Sequence, residues 1–116
     1  MSQEEVFEQK MRMSKLFDLY GGLLTEKQHQ CLSFYFYDDL NLSEIADELG
    51  VSRQAVHDLL KRVEKTLEQY ESKLSLLAKN EEQKQLLHRC RQLLNAGDAT
   101  GRAEALAILY KLTELK

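Results

Sequence analysis

The stretch from Leu42 to Lys61, LSEIADELGVSRQAVHDLLK, constrains this chain more than any other part of it. Two helices that cross closely need a small residue at the crossing, and Ala46 supplies one. The turn between them needs a residue that accepts left-handed backbone, and Gly50 stands four positions later. The second helix needs an oxygen to hold its first free N–H groups, and Ser52 is among the best residues for that task. Ile45, Leu49, Val51, Val56 and Leu59 recur where apolar groups would close the angle between the helices. Together these requirements specify a helix-turn-helix over residues 42–61.

The rest of the chain agrees with an all-α fold. Among its 116 residues there is no proline and there are only five glycines, and the straight-chain residues that favour helices predominate. A first helix is expected from about Gln3 to Tyr20, with Met13, Leu16, Phe17 and Tyr20 at helical spacing and Gly21-Gly22 ending it. Thr25-Glu26-Lys27-Gln28 has the spacing of a capping box and opens a second helix. That helix carries the run Phe34-Tyr35-Phe36-Tyr37, whose rings read as core on one side and surface on the other, and Asp38-Asp39 break it. Ser43 is expected to cap a third helix, Glu44 to Leu49. The fourth follows Ser52 and runs without a break to about Ala78. Asn80, before Glu81-Glu82-Gln83, repeats the capping pattern for a fifth helix over 81–95. A sixth runs over 100–115. With no repeat and no low-complexity linker, residues 1–116 read as a single helical domain.

Charge bears on partners. The net charge is −3. Residues 1–41 carry four basic and seven acidic groups, residues 42–65 four and five, and residues 66–116 eight and seven. A protein that clamps phosphate backbones usually has a clearer positive footprint. No apolar run approaches the roughly 20 residues of a membrane span, so no membrane insertion is expected. The polar, acidic start MSQEEVFEQK is unlike a secretory signal, and two distant cysteines read as reduced thiols; both point to the cytoplasm.

In a nucleic-acid-binding helix-turn-helix, the first residues of the second helix face base edges. Here the outward positions are Ser52, Arg53, Gln54, His57, Asp58, Lys61 and Arg62. Arg53 has the chemistry for a phosphate or guanine and Gln54 for adenine. Asp58 opposes both, because a carboxylate repels phosphate. The candidate nucleic-acid-binding residues are therefore Ser52, Arg53, Gln54, His57, Lys61 and Arg62. Direct DNA reading and a docking face for RNA or protein both remain open.

Beyond the motif, Val56, Leu60, Val63, Leu67, Tyr70, Leu74 and Leu77 alternate intervals of four and three, which is a heptad seam. It could pair two chains as a coiled coil, but packing against helices one, five and six is the preferred expectation. Ala105-Leu106-Ala107-Ile108-Leu109-Tyr110 is apolar nearly all round. Such a helix is buried on more than one side, which suggests a homodimer or an oligomeric scaffold.

Other chemistries lack their residues. His29 with Cys31, and His88 with Cys90, stand two apart and point to opposite sides of a helix, so neither pair makes a metal site. No glycine-rich phosphate loop, nucleophile with a base, or paired carboxylates stand out, and neither an enzyme nor a cofactor is expected.

Arg12–Tyr20 (RMSKLFDLY), LLTEKQ at 23–28, SEIADELGVSRQAVHD at 43–58 and LEQYESKL at 67–74 together resemble the YlxM family, small helix-turn-helix proteins of Gram-positive bacteria. The resemblance covers roughly Met11 to Leu77. Their motif is in turn similar to region 4 of sigma factors, the part that reads promoter elements. His57 stands where that family often has Tyr. The resemblance implies a regulatory role in the signal recognition particle pathway, with the particle's RNA or its GTPase as partner. The alternative is a DNA-binding transcription regulator that uses the recognition helix 53–61.

Overall fold

The computed structural model describes residues 2–114. Their regular structure is helical throughout: α1 (Gln3–Tyr20), α2 (Glu26–Phe36), α3 (Leu42–Leu49), α4 (Arg53–Leu74), α5 (Leu76–Ala96) and α6 (Ala99–Glu114). The all-α expectation holds. The structure groups these helices into two compact units that divide between Ser75 and Leu76. The expected end of the last helix at residue 115 falls outside the described residues.

The first unit is built from α1 to α4. Met13, Leu16, Phe17 and Tyr20 recur at three- and four-residue spacing and are the buried face of α1. A short 3-10 turn over Gly21–Leu23 follows. There a Cβ on Gly21 would sit 3.0 Å from the Phe17 ring, so that residue is held small by packing. Thr25 and Gln28 form the expected capping box, with bonds of 3.2 and 3.0 Å, and start α2. Cys31 and Leu32 of α2 enter the core. The aromatic run does not divide into core and surface rings as expected: Phe34, Tyr35 and Phe36 are all half-buried, Tyr37 is exposed, and none of the four is fully buried. The Tyr37 ring lies 5.4 Å from that of Phe17, and its hydroxyl donates to Asp18 at 2.6 Å. That bond holds the Tyr37 phenol above its ordinary pKa.

The core of this unit is centred on Leu16, Cys31, Ile45, Val56, Val63 and Leu67, all fully buried. The inward row of α4 packs on α1, α2 and α3. Helix one is a partner this row was expected to have, whereas α2 and α3 were not expected; Val56, Val63 and Leu67 of the heptad seam are buried inside the unit, and Leu74 is left exposed. Polar ties join α1 to α4 at the edge of that core. Arg12 donates from both Nε and Nη2 to Glu68 at 2.7 and 2.8 Å, and the Tyr20 hydroxyl donates to Glu71 at 2.6 Å. The hydrogen bonds between Arg12 and Glu68 raise the guanidinium pKa and lower that of the carboxyl.

Two helix boundaries differ from expectation, each for a local reason. Asn41, rather than Ser43, caps α3, because Asn41 and Glu44 satisfy each other's backbone N–H groups at 2.9 and 3.0 Å. Ser43 has Ala46 three residues on and can form no such reciprocal pair. The fourth helix stops at Leu74, not Ala78, because Ser75 adopts left-handed backbone (φ 55°) with its N–H on the Glu71 carbonyl. The next helix restarts at once, so Asn80 lies inside α5 instead of capping it.

The second unit is a hairpin of α5 and α6 joined at Gly97-Asp98. Gly97 takes φ 74°, and the Asp98 carboxylate accepts the Gly101 N–H to start α6. The helices approach most closely at Gly101, where a Cβ would stand 2.7 Å from the Leu93 carbonyl oxygen. Cys90 donates from Sγ to the Ala105 carbonyl at 3.5 Å, and Arg89 faces Glu104 at 3.8 Å.

Candidate recognition surface

The turn between α3 and α4 is built as the sequence requires. Gly50 sits at φ 66°, ψ 35°, and both its N–H and that of Val51 point to the Ala46 carbonyl. Ile45, Ala46 and Val56 are buried under the turn, and Leu49, Val51 and Leu59 are half-buried around it. Ser52 then accepts the Ala55 N–H at 3.0 Å and begins α4. Its hydroxyl oxygen therefore has a structural task already, apart from any contact with a ligand.

Helical spacing fixes which side chains share the outer surface of α4. With Val56, Val63 and Leu67 turned inward, Gln54, Asp58 and Lys61 lie on the opposite side of α4, and His57 and then Arg53 run along one flank back toward the core row. All five are exposed, as is Arg62. Thus the structure brings Arg53, Gln54, His57 and Lys61 onto one surface. Arg62 lies farther round the helix, where it lines an open groove of about 720 Å³ with Gln9, Lys61, Lys65 and Glu68. Lys65, one turn beyond Lys61, is a cation of this surface that the sequence reading left out. Its four-residue spacing from Lys61 was the available signal.

Asp58 is central to the arrangement. Its Oδ1 accepts from Gln54 Nε2 at 3.0 Å and stands 3.6 Å from His57 Nδ1. The carboxylate thus engages one donor of the amide that would read a base. Lys61 has a neighbouring carboxylate too, with Nζ 3.9 Å from Glu64. On the first helix of the motif, Glu44, Asp47 and Glu48 are all exposed. The surface therefore alternates cations and carboxylates instead of presenting a positive stripe.

The chain's similarity to known proteins follows the same motif. A family model described as "Putative helix-turn-helix protein, YlxM / p13 like", UPF0122, matches residues 7–104. The chain belongs to the UPF0122 family. It is 52% identical over 99 residues to a UPF0122 protein of Bacillus pumilus, covering 85% of this chain and 90% of the relative. A UPF0122 protein of Halalkalibacterium halodurans is 50% identical over 107 residues, 91% of this chain and 95% of its own length. One from Shouchella clausii is 49% identical over 96 residues, 83% and 88%. The UPF0122 match extends well beyond the turn, into α5 and the first residues of α6.

Elsewhere the UPF0122 chain offers little chemistry of another kind. Cys31 and Cys90 are free thiols, both buried, and burial pushes the Cys31 thiol pKa up. His29 stacks its ring 5.1 Å from that of Phe17. Among the described residues, no three His, Cys, Asp or Glu side chains gather as a metal cluster. No helix among them is long and apolar enough to cross a membrane.

Proposed function

We propose that this UPF0122 protein is a non-enzymatic regulator of the signal recognition particle pathway. In this reading it works in the cytoplasm as a homodimer and presents its helix-turn-helix to the particle's RNA or to its GTPase. The supporting observation is the alternation of charge on α3 and α4. The first helix of a duplex-reading motif crosses the phosphate backbone, where Glu44, Asp47 and Glu48 would be repelled. A folded RNA or a protein surface can meet such a mixture one contact at a time, with Ser52, Arg53, Gln54, His57, Lys61 and Arg62 as the contacting residues. The resemblance to the YlxM family supplies the pathway. Binding of the purified chain to the particle's RNA and to its GTPase, measured separately at moderate salt, tests this. Saturable binding to one of them is expected; saturable binding to neither overturns the reading.

A second reading rests on Arg53 and Gln54, whose side chains suit guanine and adenine at the start of an exposed helix. As a DNA-binding transcription regulator, the chain would hold particular promoter fragments with steep salt dependence and lose them in Arg53→Ala. Equal affinity for all DNA sequences, or none, counts against it.

A further inference from the structure

We infer that two copies of the chain pair through α6, antiparallel, along the row Arg102–Leu106–Tyr110–Glu114. This rests on the homodimer part of the proposed function and gives it a surface. Among the described residues of α5 and α6, only Leu77, Cys90, Gly101 and Ala105 are buried. Meanwhile Leu106 is 58% exposed and Tyr110, the most exposed large apolar side chain described, 74%. Helices that are apolar nearly all round are covered on more than one side in their working state.

The charges at the two ends of the row indicate what covers it. Positions 102, 106, 110 and 114 are each four apart, so they form one ridge of the helix surface, and all four residues are exposed. The ridge reads basic, apolar, aromatic, acidic. Laid against a second copy running the opposite way, Leu106 meets the partner copy's Tyr110 and Arg102 meets its Glu114, with the same contacts repeated by the two-fold axis. No parallel pairing does this, because it would set like charge against like.

Helix electrostatics favour the same arrangement. Arg102 stands in the first turn of α6 and Glu114 at its last residue. Each therefore has the sign that its own helix end disfavours. In the antiparallel pair, each lies beside the opposite end of the neighbouring helix, where its charge is favourable. The hairpin is also well fixed to present the ridge, through the close approach at Gly101 and the contact of Cys90 with the Ala105 carbonyl.

Sedimentation equilibrium of the full chain over a concentration series tests the pairing. The wild type is expected to be a dimer and Tyr110→Asp a monomer. Arg102→Glu and Glu114→Arg each turn two symmetry-related attractions into repulsions and should weaken the dimer about tenfold. The double variant R102E/E114R restores the pairing of opposite charges and should recover most of that loss. This rescue separates the surface contact from any damage to the hairpin, which circular dichroism monitors. A wild-type monomer at every concentration overturns both the α6 pairing and the homodimer. A dimer indifferent to the single reversals, or not rescued by the double one, overturns the α6 pairing alone. Neither result touches the binding of RNA or GTPase, which is measured separately.

Discussion

The two compact units are made of the same kind of helix but differ in what they bury. Residues 2–75 enclose a core of large side chains, Leu16, Phe17, Tyr20, Ile45 and Leu67 among them. Residues 76–114 enclose chiefly small groups and leave Leu87, Leu94, Leu106, Leu109 and Tyr110 between 42% and 74% exposed. Four helices can surround a side chain, whereas two can only lie along one another. Close approach at Gly101 and Ala105 then orders the hairpin without removing much apolar surface from water. A pair of helices gains its fixed geometry from small residues and leaves its large ones exposed.

The contrast can be broken at its strongest point by Leu67→Ala. Leu67 is fully buried, and its loss should cost about 2–5 kcal/mol, with a clear fall in the denaturation midpoint. Leu94→Ala, at a site 52% exposed, should cost well under about half of that. Equal losses in urea titrations of the two variants would remove the distinction between the units.

Next in size is Gly101→Ala. The added Cβ would meet the Leu93 carbonyl oxygen at 2.7 Å, and backbone cannot swing away as a side chain does. A cost of about 1–3 kcal/mol is expected, confined to the hairpin. Hydrogen exchange should accelerate at amides of α5 and α6 and stay unchanged in α1 to α4. Uniform acceleration across all six helices would mean that the two units unfold as one.

The smallest effect concerns the ion pairs. Arg12 and Glu68 in the first unit meet through two short bonds, whereas Arg89 and Glu104 in the second are 3.8 Å apart. Glu68 has a folded pKa below its unfolded value, chiefly through the Arg12 hydrogen bond. Its stabilising contribution is therefore complete above the unfolded value and is lost as pH falls through the folded one. Because both partners are more than two-fifths exposed, solvent screening keeps the effect below about 1 kcal/mol. Acidification below the ordinary carboxylate range, about pH 4, should destabilise the wild type more than Glu68→Gln, and thermal denaturation across that interval measures the difference. Identical pH profiles would show that the pair contributes nothing.

Much of this protein was legible because its signals act over a few residues. The box at Thr25 and Gln28, the Ser52 cap and the left-handed Gly50 each satisfy backbone groups with neighbours in sequence, so their spacing was enough. Where two local signals competed, at Asn41 and Ser43, the reciprocal bond with Glu44 decided the outcome. The break at Ser75 had no glycine or proline to announce it.

The candidate surface was readable in its membership and unreadable in its wiring. Arg53, Gln54, His57 and Lys61 follow from helical period alone, and Asp58 was already visible as the unfavourable charge among them. That its carboxylate engages the Gln54 amide depends on side-chain conformation, which the order of residues does not specify.

The sequence by itself determined that the chain is helical, that residues 42–61 turn as they do, and which side chains point outward there. Each of those outcomes is fixed by hydrogen bonds and periodicity within one or two turns of chain. Tertiary structure alone decided that the α4 row is enclosed by α1, α2 and α3, and that Arg12 reaches Glu68 across 56 positions. An apolar row specifies only that something must cover it. Which helix does so is settled by shape and by the cost of empty space, through contacts between residues far apart in sequence.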